Sequence, residues 1–116
     1  MGVSRQIEIQ ITYSKEHQEK LFKIVENFGS EIKEHICKDK EFHASMPDVL
    51  DEDDEVVTLS IYSDRAQNAH WQMNCLIKLL QIHKVEVIEF SAEENQPTNV
   101  AYIDENDFAN YEVDLS

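Results

Sequence analysis

The segment Arg5 to Tyr13 alternates without a fault, with Ile7, Ile9, Ile11 and Tyr13 on one side and Gln6, Glu8, Gln10 and Thr12 on the other. A period of two over nine residues predicts a half-buried strand, dry on one face and wet on the other. Whatever else the chain folds into must cover one side of a sheet and leave the other to water.

The next stretch changes period. Ser14 reads as an N-cap and Glu16 falls in the first turn, where the helix dipole favours an acid. An apolar stripe at Leu21, Val25, Phe28, Ile32 and Ile36 predicts one long helix, bent at Gly29. Phe42, Ala44 and Met46 suggest a short edge strand closed by Pro47. Residues 48–55 hold six acids and no base, which predicts a solvated loop. Residues 56–62 alternate again with Val57, Leu59 and Ile61 inward, completing a long hairpin.

Asp64 with Gln67 three residues on starts a second helix over residues 65–84. Ala69, Met73, Leu76 and Leu80 centre its apolar face, Trp71, Cys75 and Ile82 extend that face round one flank, and the polar strip is narrow. Such a helix needs cover from two sides, the sheet on one and the C-terminal segment or a second copy of the chain on the other. A last strand is expected at residues 85–90.

The order strand, helix, strand, strand, helix, strand predicts an α+β domain of the ferredoxin-like split βαβ type. Its sheet is antiparallel with both helices on one face. The expected division is a core over residues 1–96 and an acidic, partly ordered extension over 97–116 that can add a strand. A chain of 116 residues with 41% apolar residues can build one core. No apolar run reaches the length of a membrane helix and the start lacks the apolar stretch of a signal peptide, so a cytoplasmic protein with reduced Cys37 and Cys75 is expected.

Charge narrows the function classes. Residues 1–47 are nearly balanced at −1, while residues 48–116 carry −13 of the total −14. A chain so acidic, with no basic patch, is a poor ligand for a phosphate backbone. Glycine occurs only at positions 2 and 29, so no phosphate cradle is available. His35, Cys37, His43, His70 and Cys75 match no metal-binding spacing. Cys75 lies among apolar neighbours rather than in the electropositive setting that makes a thiolate, and the acids of residues 51–55 are too solvated to act as a catalytic pair. No catalytic residue, metal or cofactor is expected.

What remains is a binding face. Asp51, Glu52, Asp53, Asp54, Glu55, Asp104, Glu105 and Asp107 are interleaved along the chain with Tyr62, Trp71, Tyr102, Phe108 and Tyr111. Acids steer a basic partner while rings supply anchoring area. In overall character the chain resembles small acidic inhibitors of nucleases, including toxin-neutralising immunity proteins and mimics of nucleic acid. That resemblance implies a basic toxin or nuclease as partner. The element order is also similar to that of acidic protein regulators of bacterial ribonuclease E, from which the chain departs at residues 85–90, where those proteins carry a segment rich in Gly, Trp and Tyr. A homodimer binding a small regulatory ligand, paired through the flank of the second helix, is the alternative from another class.

Overall fold

In the computed structural model, which describes residues 5–38, 46–63, 66–94 and 103–104, the alternating segment is strand β1 (Arg5–Tyr13). Ile7, Ile9, Ile11 and Tyr13 are fully buried, while Gln6, Glu8 and Gln10 are exposed. Each such buried isoleucine contributes about 1.5–3 kcal/mol of transfer free energy. β1 pairs antiparallel with β3 (Val56–Ser63) along one edge and with β4 (Val87–Glu94) along the other. β2 (Asp48–Glu52) lies outside β3, and the two-residue β5 (Ile103–Asp104) lies outside β4, giving the order β2-β3-β1-β4-β5. The fold is α+β with an antiparallel sheet, as the alternation of periods requires. The C-terminal segment does supply a strand.

The helix layer consists of α1 (Gln18–Glu26), α2 (Phe28–His35) and α3 (Ala66–Ile82). It covers the face of the sheet that carries Ile9, Leu59 and Phe90, all fully buried. α3 packs on β1 and β3 and, on its other side, against α1 and α2. α1 and α2 thus cover part of α3 beside the sheet, while Ile82 on its flank stays 37% exposed and most of the C-terminal segment expected there lies outside the described residues. Trp71 is half-buried against this core.

The long first helix is broken, but two residues before the glycine. Asn27 has φ −114° and ψ 30°, and its side-chain amide donates to the Lys23 carbonyl at 3.0 Å alongside its own backbone amide at 3.1 Å. One carbonyl taking two donors bends the helix there. Gly29 lies in the first turn of α2, with nothing within 4 Å of the place a Cβ would occupy. The start also differs from the expected cap. A 3-10 turn (Lys15–His17) precedes α1, and the Ser14 hydroxyl pairs with Glu16 Oε1 at 3.3 Å rather than capping an amide.

The acidic run is only half loop. Asp48, Asp51 and Glu52 stand on strand β2, and only residues 53–55 form the connection to β3. The sequence hid this strand because acids are poor strand formers and because Leu50 is a bulge residue that interrupts the alternation. The expected edge strand around Phe42 and Ala44 lies outside the described residues, and Met46 and Pro47 precede β2. The last strand begins at Val87 rather than residue 85 and runs four residues further than the apolar pattern. Ahead of it, α3 ends in a reversal where Val85 N donates to Leu80 O at 3.0 Å and Lys84 N to Gln81 O at 3.1 Å. This is a Schellman turn, with Lys84 at φ 56° in the position usually given to glycine.

Replacing Gly29 by Ala should raise the unfolding free energy by about 0.5–1 kcal/mol, because a helix-interior glycine carries an entropic penalty and the new methyl meets no neighbour. Urea denaturation measures it. A loss of stability would mean that the bend at Asn27 depends on the freedom of Gly29.

Candidate functional site

The connection between β2 and β3 is held by backbone bonds on both sides. Asp53 N donates to Val56 O at 2.8 Å, and Tyr13 N donates to Glu55 O at 2.9 Å, tying the tip to the end of β1. Asp51 Oδ1 accepts from Glu52 N at 2.9 Å and Asp53 Oδ1 from Asp54 N at 2.8 Å. Residues 51–55 are all exposed, on a backbone fixed at both ends. The local field reaches Tyr13, whose phenol is pushed up by burial and further by Glu52, Asp54 and Asp53.

Strand register extends the acidic surface beyond the tip. Asp48 stands opposite Ser60, Ser60 opposite Glu8, and Glu8 opposite Glu93, forming one row across the outer face of the sheet. The next row is Asp51, Thr58, Gln10 and Ser91, and a third carries Thr12, Glu89 and Asp104. The five strands hold eight acids and one base, Arg5. The described lysines, Lys15, Lys20, Lys23, Lys33, Lys38, Lys78 and Lys84, all fall in the helices or within three residues of them. Charge is thus sorted by layer. The cross-strand neighbours Glu8 and Glu93 are both exposed carboxylates, a pairing that weakens a sheet.

Of the aromatics expected at a binding face, Tyr62 is 54% exposed and stands beside Gln6, so it shares the outer face. It sits at the far end of β3 from the tip, about 20 Å away at roughly 3.3 Å per residue. Trp71 belongs to the helix layer on the other side of the sheet. Asp104 lies on β5, while Tyr102, Glu105, Asp107, Phe108 and Tyr111 fall outside the described residues. Glu8, Asp48, Glu89 and Glu93 join the surface without having been singled out. The signal for Glu8 was present in the alternation of β1, which places it outward. Glu89 and Glu93 were concealed by the bulge that leaves Ile88 out of register and by the extra length of β4.

Among the described residues, the histidines and cysteines that could serve as metal ligands do not gather as one group. Cys37 is half-buried and Cys75 buried, both as free thiols, while His70 is exposed on α3 and His43 lies outside the described residues. His35 instead meets Glu31 of its own helix and His83 from the end of α3, three side chains whose donor atoms lie within 4.8 Å of one another. A second grouping, Glu16, His17 and Glu86, has a single imidazole between two exposed carboxylates. Burial pushes the Cys75 thiol up to about 12, which removes it as a nucleophile at neutral pH.

No protein-family model matches the chain, and no curated protein or solved structure matches it at a significant level.

The raised thiol has a reactivity and a stability consequence. At pH 8 a thiol-specific reagent should modify Cys37 while Cys75 reacts only as fast as the protein unfolds. Unfolded cysteine ionises near about 8.5. Above that pH the unfolded state sheds its proton first, so the stability present below about pH 8.5 should fall as pH rises toward about 12. Cys75→Ala should flatten that decline. Equal labelling rates for both thiols in the folded protein would show that Cys75 is open to solvent.

Proposed function

We propose that this chain is an acidic binding protein that blocks a basic protein partner, such as a toxin or a nuclease, and is not itself an enzyme. The single observation that carries the reading is the sorting of charge by layer, with the strands and their β2–β3 connection holding acids and the described lysines kept to the helices and the few residues that follow them. A cleft built for phosphates is lined by cations, and a rigid acidic face of this kind offers them fixed counter-charges in place of a nucleic acid backbone. Tyr62 supplies apolar area at one end of the face, and Asp51 with the exposed acids of the β2–β3 connection supplies charge toward the other end of β3.

Two observations support the ferredoxin-like split βαβ reading of the fold. β1 is central between β3 and β4 with β2 outside, and the helices pack on one side. The acidic C-terminal extension then adds Asp104 beside Glu89. No helix among the described residues is long and apolar enough to cross a membrane. The working compartment in this reading is the cytoplasm, where a toxin would have to be neutralised.

The pairing of Glu8 with Glu93 distinguishes a functional face from a merely solubilising one. Glu8→Gln relieves a like-charge pair and should raise stability by about 0.2–1 kcal/mol, yet it should slow association with the partner. Asn at Asp51, Asp53 and Asp54 together should slow association further with little change in stability. In the unmodified protein the association rate should fall steeply between 0.1 M and 1 M salt, as the Debye length drops from about 10 Å to about 3 Å. Stopped-flow binding and urea melts on the same samples read both quantities. Association rates untouched by salt and by both variants would remove the acidic face from the interface.

A further inference from the structure

Burying a carboxylate is costly unless an opposite charge or a metal takes its lone pairs. Glu31 is 8% exposed, on the side of α2 that faces α3. Among the described residues the groups within ion-pair distance of its carboxylate are two imidazoles, not a lysine or arginine. His83 Nε2 lies 2.8 Å from Glu31 Oε2, and His35 Nε2 lies 3.3 Å from the same oxygen. The rings meet edge to face, with centroids 5.2 Å apart and planes at 85°. Both therefore bring Nε2 to one point without stacking.

We infer that Glu31, His35 and His83 form a binding site for a first-row divalent cation, with zinc as the ion of first choice. Two neutral imidazole nitrogens and one carboxylate oxygen are a donor set that zinc accepts, whereas calcium and magnesium prefer oxygen alone. Tetrahedral coordination at about 2.0–2.1 Å per bond separates ligand atoms by about 3.3 Å. The His35 contact already has that spacing, and the His83 contact has to open by about half an ångström. The imidazole side chains are 29% and 30% exposed, so water can reach the fourth position.

Rigid backbone holds the three ligands. Glu31 and His35 are one helical turn apart, the spacing that puts two side chains on one face. His83 is fixed at the end of α3 by its own amide on Leu79 O at 3.0 Å and by the left-handed backbone of Lys84 that follows. A bound ion would join α2 to α3 across 52 residues of sequence, stapling the helix layer while leaving the acidic face free. Because it binds the folded chain and not the unfolded one, it raises stability in proportion to the logarithm of its concentration.

The test uses the full chain with zinc chloride and cobalt chloride as probes. Calorimetric titration should show one zinc per chain, and cobalt should give visible d–d bands without the sulfur charge-transfer absorption that a thiolate ligand brings. Zinc should also raise the thermal midpoint. His35→Asn, in an exposed residue whose loss leaves the core untouched, should weaken binding by at least about tenfold and abolish the thermal shift. Glu31→Gln and His83→Asn should do the same, with circular dichroism confirming that each variant is folded. The proposal is overturned by any of three results: no saturable one-to-one binding, equal affinity in the His35 variant, or a cobalt spectrum carrying a thiolate band.

Discussion

Strand β1 is hydrogen-bonded along both edges but dry on one face only, and the rest of the structure is arranged around that asymmetry. Its amides and carbonyls are satisfied by β3 and β4, so the strand is fixed at the centre of the sheet. Its buried side, from Ile7 to Tyr13, needs a continuous apolar cover, and the bent α1–α2 unit with α3 supplies it. The outer side is left polar. The strands on either side then extend a surface whose wetness is decided by the nine residues of β1.

That one-sidedness also decides where charge can go. Helix surfaces accept lysine and glutamate together, and α1 and α2 carry both. The outer sheet face presents side chains at fixed spacings, about 4.8 Å between strands. Acids there cannot move apart as they would in a tail, so the field is strong and the geometry is set before any encounter. In the proposed reading, such a preorganised face would lose little conformational entropy on meeting a basic partner.

The strong periodic segments were legible in the sequence, and features set by local competition or long-range contact were not. β1, β3 and the apolar centre of α3 follow from periodicity because packing there agrees with pattern: Val57, Leu59, Ile61, Ala69, Met73, Leu76 and Leu80 are all buried. The acids of β2 oppose strand propensity and so predict a loop, and pairing with β3 overrides that preference. The sequence predicts the helix bend at Gly29, where the chain is most permissive, but it falls at Asn27, whose side chain competes for the Lys23 carbonyl. The meeting of Glu31 with His83 depends on how α2 packs on α3 and has no local signature at all. The tip acids and Tyr62 are visible as residues, though only register shows that Asp51 and Tyr62 stand toward opposite ends of one face.

Strand β2, exposed and outermost among the described strands, has a further meaning for the molecule in concentrated solution. A sheet edge offers unpaired amides and carbonyls to any second sheet edge, and Met46, Val49 and Leu50 beside it are exposed apolar side chains. Asp48, Asp51 and Glu52 on that same strand repel the corresponding strand of another copy. The carboxylates thus act as a guard against self-templated growth. That guard lies in the side chains and not in the backbone: without these three charges β2 would turn from a protected margin into a nucleus for edge-to-edge assembly.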